Sequence, residues 1–128
     1  MQPVSASAQK AIANGIAHGS GGSRLLGGNH PEHEALEAFA ATHYGAEAGL
    51  FFGSGFAANS ALFATVPQSG DLVLHDTLVH ASVHDGMRLG RAEFRAFRHN
   101  DCNDLEQKIQ NWRAGSGTGT IWIAVESL

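Results

Sequence analysis

A chain of 128 residues has room for one domain or part of one, and on folding would bury roughly 65–70% of its unfolded surface. A net charge of −4 gives no electrostatic footing for nucleic acid, and no apolar run approaches the ~20 residues that span a bilayer. The N-terminus shows no basic-then-apolar leader pattern and Cys102 is a lone cysteine, so no internal disulfide is available and a cytoplasmic location is the default expectation.

The elements follow in chain order. Gln9 to His18 reads as a helix ending at Gly19. The stretch HGSGGSRLLGGNHP (18–31) is a glycine-rich loop that no regular element fits. Pro31 suits the first turn of a second helix, with Glu32 and Glu34 near its positive end. Leu36, Phe39, Ala40 and Tyr44 keep a helical spacing, and Gly45 is the expected stop. AGLFFG (48–53) is short, apolar and closed by glycine, which predicts a strand. Phe56 to Val66 predicts a small-residue helix with Pro67 beyond it. DLVLHD (71–76) predicts a second strand, HASVHDGMRLG (80–90) a helix despite Gly86, and EFRAFRH (93–99) a third strand. DCNDLEQKIQNWRAG (101–115) predicts a helix with Asp101 as N-cap, Asp104 at the capping-box position and Gly115 as stop. TIWIAVES (120–127) predicts a fourth strand. Strands alternating with helices imply an α/β fold with a mainly parallel sheet and flanking helices.

Three stretches carry candidate chemistry. In GSGFAAN (53–59) two glycines and a serine precede a helix. A helix start offers unpaired N–H groups and partial positive charge, which suits a phosphate; a bare tight turn is the alternative. The stretch is neither a Walker A loop nor G-x-G-x-x-G, since Ala58 takes the last glycine's place. The nucleophile-elbow spacing that would make Ser54 a triad serine is absent as well. In HDTLVHASVHDG (75–86), His80 follows a strand at the sheet end where ligands collect. It could stack on a flat ring, or simply cap a helix; a metal site of His75, His80 and His84 lacks an accompanying HExxH pattern. In HND (99–101), Asn100 and Asp101 read as a turn and a cap. Glu126 ends the fourth strand, either as a site residue or as an organiser of the next loop. Arg24 suits a carboxylate, a phosphate or a surface role. His33 and His43 read as packing or surface residues, and Cys102 has no evident activating partner.

Taken together and in order, GSGGSRLLGGNHPEHEALE (19–37), FFGSGFAAN (51–59), DTLVHASVHDG (76–86), FRHND (97–101) and VES (125–127) resemble the α-oxoamine synthases. These are pyridoxal-phosphate enzymes of fold type I, built like the aspartate aminotransferases. The resemblance implies that residues 1–128 are the N-terminal part of the cofactor-binding large domain, and that the parent protein condenses an amino acid with an acyl-CoA or acyl-carrier thioester, losing carbon dioxide. The GSGGSR and HEALE stretches are most like the branch that joins alanine to a pimeloyl thioester in biotin biosynthesis. Other branches of the family are the alternative, and outside it a non-catalytic phosphate-binding α/β module. The family's usual motif has a serine or similar residue where this chain has Gly27.

By the same resemblance, Gly55 and Phe56, preceded by Ser54, fall where the backbone holds the cofactor phosphate. His80 falls where a histidine stacks on the pyridine ring and positions substrate, and Glu126 where a glutamate lies near the cofactor. The family's Schiff-base lysine and small C-terminal domain are expected beyond Leu128, because Lys10 and Lys108, the chain's two lysines, match no such position. The isolated chain is therefore expected to be inactive, and its parent to act as a homodimer.

Overall fold

The computed structural model describes residues 2–16 and 19–126. The chain divides into two compact units, residues 1–51 and 52–128.

In the first unit, helix α1 spans Gln2–Ala13. The expected Gln9–His18 helix is thus displaced toward the N-terminus, and His18 lies outside the described residues. The cause of the early stop is Gly15, which takes a left-handed φ of 74°. The Ile16 N–H then reaches back to the Ala11 carbonyl at 3.1 Å and the Gly15 N–H to Ile12 at 3.0 Å, the paired bonds that close a helix at glycine. The upstream Ala, Ser and Gln residues show no apolar stripe, so periodicity missed them. The glycine-rich loop contains one wide helical turn, Arg24–Gly28. Helix α2 spans Pro31–Tyr44 and stops at Gly45, as expected. Two histidines cap its start. The Glu32 N–H donates to His30 Nδ1 at 3.2 Å, and the His30 N–H donates to His33 Nδ1 at 3.1 Å. His33 also stacks on Phe51, with ring centroids 5.9 Å apart.

The strand expected over residues 48–53 does not form; that stretch is irregular. Its apolar composition satisfies the local criterion, but a strand also needs a ladder partner, and none pairs with it among the described residues.

The second unit holds α3 (Gly55–Thr65), β1 (Leu72–Asp76), α4 (Ala81–Leu89), β2 (Glu93–Phe97), α5 (Cys102–Ala114) and β3 (Ile121–Ala124). All three strands are parallel, in the order β2-β1-β3. Leu72 pairs with both Glu93 and Ile121, and His75 with both Ala96 and Ala124. The central position explains why every residue of β1 is buried while most of β2 is exposed.

Successive residues of β1 face opposite sides of the sheet. Val73 packs with Val79, Val83, Met87 and Ala124, backed by Phe63 of α3. Leu72 and Leu74 pack with Phe97, Trp112, Leu105 and Ile109, the last three on α5. The chain leaves β1 toward β2 through α4 and returns past β1 to β3 through α5. Right-handed crossovers in opposite directions put their helices on opposite faces, where these two clusters lie.

Gly86 answers to the packing of α4 against α3. A Cβ there would stand 2.8 Å from both Phe63 Cβ and the Ser60 carbonyl oxygen. The helix interior tolerates the poor helix former because only hydrogen fits the crossing. At α5, Asp101 Oδ1 accepts the Asp104 N–H at 2.9 Å, the expected cap. The reciprocal capping-box bond from Asp104 is absent. Its carboxylate instead accepts the Arg98 N–H at 2.8 Å, while the Asp101 N–H is held by the Arg98 carbonyl at 3.0 Å.

Candidate active site at the carboxyl edge of the sheet

Because the strands are parallel, their C-terminal ends gather on one edge, where ligands of open α/β sheets bind. Asp76 ends β1, His80 opens α4, His99 and Asn100 follow β2, and Glu126 follows β3. The sheet topology therefore brings to one edge residues far apart in sequence.

The start of α3 belongs to the same unit. Ser54 is its N-cap, with Oγ accepting the Ala57 N–H at 3.1 Å. The Ser54 carbonyl takes the Ala58 N–H at 3.1 Å. The Gly55 and Phe56 amides precede any intrahelical acceptor and keep their hydrogens outward, at the positive end of the helix dipole. A Cβ placed on Gly55 would meet nothing within 4 Å, so the backbone there is not crowded by a neighbour on that side. The serine lone pair serves the helix while its hydroxyl hydrogen remains available. These donors, all N–H or O–H, fit an anion such as a phosphate.

Phe56 turns its ring toward His80. The two meet edge to face at 6.2 Å, with planes 81° apart. His80 thus touches the first turn of α3 through the Phe56 ring. It is also the N-cap of α4: its Nδ1 accepts the Ser82 N–H at 3.1 Å and lies 2.8 Å from Ser82 Oγ. The backbone N–H of His80 donates to Glu126 Oε1 at 2.8 Å. Glu126 therefore ties the end of β3 to the start of α4, and the loop-organising reading of this carboxylate describes its contact. The capping reading of His80 is likewise its observed contact; the imidazole is exposed and its Nε2 edge stays clear of the cap.

Asp76 was not singled out by sequence, yet it organises this edge. Its buried carboxylate accepts N–H bonds from Leu78 at 2.8 Å and Asn100 at 3.0 Å, and lies 3.0 Å from His99 Nδ1. The Leu78 N–H, then Asn100 and His99, hold it below the usual carboxylate range against the cost of burial. A cavity of about 110 Å³ lies here, lined by Asp76, Leu78, Val79, His99, Asn100 and Glu126. An aspartate closing a strand that opens Leu72-Val73-Leu74, at the carboxyl edge, was the available signal. Asn100 takes the left-handed φ of 53° expected of a turn residue.

The remaining candidates separate. His75 and His84 meet edge to face at 4.8 Å, apart from the His80 cap. Burial pushes the His84 imidazole down, with His75 and Arg88 adding to the effect against Asp85. Among the described residues no group of three or more His, Cys, Asp or Glu is arranged to hold a metal ion. In the first unit, Arg24 has found its carboxylate: both guanidinium Nη groups bond Glu37, and its Nε donates to Asn29 Oδ1 at 2.8 Å. No described helix is long and apolar enough to cross a membrane.

A parallel sheet with a glycine-serine helix start and a histidine at its carboxyl edge defines an α/β architecture whose ligand-binding edge presents backbone N–H donors. The chain belongs to the aminotransferase class I and II family, whose model matches residues 2–128. It is similar to the 8-amino-7-oxononanoate synthase of Methylobacterium radiotolerans, 46% identical over 92% of this chain and 31% of that protein. The 8-amino-7-oxononanoate synthase of Emericella nidulans is 44% identical over 85% of this chain and 28% of its own length. Among solved structures, Sphingomonas wittichii serine palmitoyltransferase superposes with a TM-score of 0.81 at 34% identity, over 92% of this chain and 29% of that one. The 8-amino-7-oxononanoate synthase of Francisella tularensis superposes with a TM-score of 0.58 at 29% identity, over 88% of this chain and 30% of that one. The chain thus spans about three-tenths of the length of these relatives.

Proposed function

We propose that this chain is the N-terminal part of the cofactor-binding large domain of a pyridoxal-phosphate-dependent C-acyltransferase of the α-oxoamine synthase type. The parent protein condenses an amino acid with an acyl thioester and releases carbon dioxide. Relatives named 8-amino-7-oxononanoate synthase favour alanine and a pimeloyl thioester, in biotin biosynthesis, as the substrates. The Schiff-base lysine and the small C-terminal domain belong to the rest of the parent, which works as a homodimer in the cytoplasm. The observation that supports the reading is the uncrowded Gly55 at the start of α3, whose next residue, Phe56, meets the His80 ring. A variant serine palmitoyltransferase of S. paucimobilis, solved with a bound PLP–myriocin aldimine, superposes with a TM-score of 0.78 at 32% identity, over 84% of this chain and 28% of that one.

In this reading the Gly55 and Phe56 amides and the Ser54 hydroxyl bind the phosphate. Backbone donors suit the task, because they are fixed by the helix and need no side-chain ordering. The Phe56 ring supports the edge of the His80 imidazole, and Glu126 pins the His80 backbone. His80 would cover one face of the cofactor ring, help orient the amino acid and keep water from that face. When bound, pyridoxal phosphate supplies an electron sink for the negative charge that develops on the amino acid.

The test is pyridoxal-phosphate binding by the parent protein, read from visible absorbance and equilibrium dialysis, with Gly55→Asp as the variant. A carboxylate set before the two amides should weaken binding at least about tenfold through like-charge repulsion and occupied space. Unchanged binding by a folded Gly55→Asp variant would refute the cradle. Release of CoA from an acyl-CoA in the presence of alanine, compared with glycine and serine, then tests the substrate assignment.

A further inference from the structure

We propose that Ser82 and Asn59 are positioning residues that hold His80 as its Nε2–H tautomer. The argument begins at the one donor whose direction is fixed. A backbone N–H can only donate, and the Ser82 N–H lies 3.1 Å from His80 Nδ1. That nitrogen is therefore an acceptor and carries no proton. Ser82 Oγ lies 2.8 Å from the same nitrogen, so the hydroxyl must also donate to it. With its hydrogen spent, Oγ can only accept, and the group facing it at 3.0 Å is the Asn59 amide nitrogen. The network thus fixes the orientation of the asparagine amide as well as the imidazole proton.

The position of Ser82 makes this chain of donors strict. It is fully buried, so no solvent offers the hydroxyl another partner. Its carbonyl accepts a further bond from Ser60 Oγ at 3.2 Å, which ties it to α3. Asn59 also lies on α3, and the close crossing of α3 and α4 brings it within reach. Protonating Nδ1 would set an N–H against the Ser82 N–H, and turning the ring over would set the Cδ2–H there, so either change loses the cap bond. In the neutral ring Nε2 carries the proton, and the exposed edge is a donor without a basic nitrogen. The functional consequence rests on the cofactor reading above: at that site His80 offers a hydrogen bond and orientation, and does not act as the base that removes a proton.

The test uses the parent protein with 15N-labelled histidine, free of cofactor, at about pH 8.5, where an ordinary imidazole is neutral. Long-range 1H–15N spectra report which ring nitrogen is protonated. The expected pattern for His80 is an unprotonated Nδ1 and a protonated Nε2. A predominant Nδ1–H form overturns the proposal with no variant needed. In Asn59→Asp the carboxylate takes the Ser82 hydroxyl hydrogen and frees an oxygen lone pair toward Nδ1. The share of Nδ1–H should then rise about tenfold, the scale of one charge-assisted hydrogen bond. Ser60→Ala removes a bond to the Ser82 carbonyl but none from the proton chain, and should leave the tautomer unchanged. An equal shift in both variants, or none in a folded Asn59→Asp chain, overturns the relay. Because these spectra need no cofactor, their outcome is independent of the pyridoxal-phosphate test.

Discussion

Replacing Gly86 by alanine sets two opposing effects against each other, and the structure decides the sign. On helix propensity alone the change should stabilise α4 by about 1 kcal/mol. The new Cβ, however, would lie 2.8 Å from Phe63 Cβ and from the Ser60 oxygen, and 3.0 Å from Ser60 Cα. Carbon atoms settle at ~3.5–4.0 Å, so α3 must withdraw by about 1 Å. Two of these neighbours are backbone and the third is a Cβ, so no side chain can rotate aside. Overpacking of this kind costs ~1–3 kcal/mol, and a rigid backbone neighbour places the cost near the top of that range. The expected net loss is about 2 kcal/mol. With a urea m-value of ~2 kcal/mol/M, the unfolding midpoint should fall by about 1 M. The assay is equilibrium urea unfolding followed by Trp112 and Trp122 fluorescence. A midpoint higher than that of the unmodified chain would refute the close helix crossing, and with it the placement of Asn59 beside Ser82.

Three further outcomes are expected. The Glu37 carboxyl is lowered from 4.5 to about 2, chiefly by the Arg24 side chain and then by the Phe51 N–H. Its stabilising contribution is therefore complete above pH 4.5 and lost as pH falls toward 2; Glu37→Gln should flatten that acid slope, and an unchanged slope would show the pair to be without effect. Ser54→Ala leaves the Ala57 N–H without its cap and should cost about 1 kcal/mol by urea unfolding, whereas Ser54→Gly should cost only a few tenths. Leu74, fully buried at the centre of β1, should lose ~2–5 kcal/mol as Leu74→Ala, and a loss below about 1 kcal/mol would contradict its packing against Phe97 and Trp112.

Local chemistry in the sequence was enough to mark α2, α3, α4 and α5, because each begins at a residue that can accept a backbone N–H or stops at a glycine. The DLVLHD strand was legible as a short apolar run, whereas its central place was decided by pairing with β2 on one side and β3 on the other. The helix start at Gly55 was legible because it depends on neighbours in sequence. The 48–53 stretch was misread because strand formation depends on a partner that sequence periodicity does not reveal. The α1 boundary was misread because Gly15 and Gly19 look alike until backbone bonds choose between them.

What the order of residues settled by itself was the placement of α2, α3, α4 and α5 and the presence of the three strands that follow α3, α4 and α5, since caps, glycines and apolar runs act over a few residues. What only tertiary structure decided was the company kept by Asp76, His80 and Glu126. Parallel pairing carried the ends of three strands to one edge, so that Glu126 reached the His80 amide and Asn100 reached Asp76. The Gly86 crossing brought Asn59 to Ser82 from another helix. No spacing rule encodes such contacts, because they form only after sheet register and helix packing have fixed the backbone.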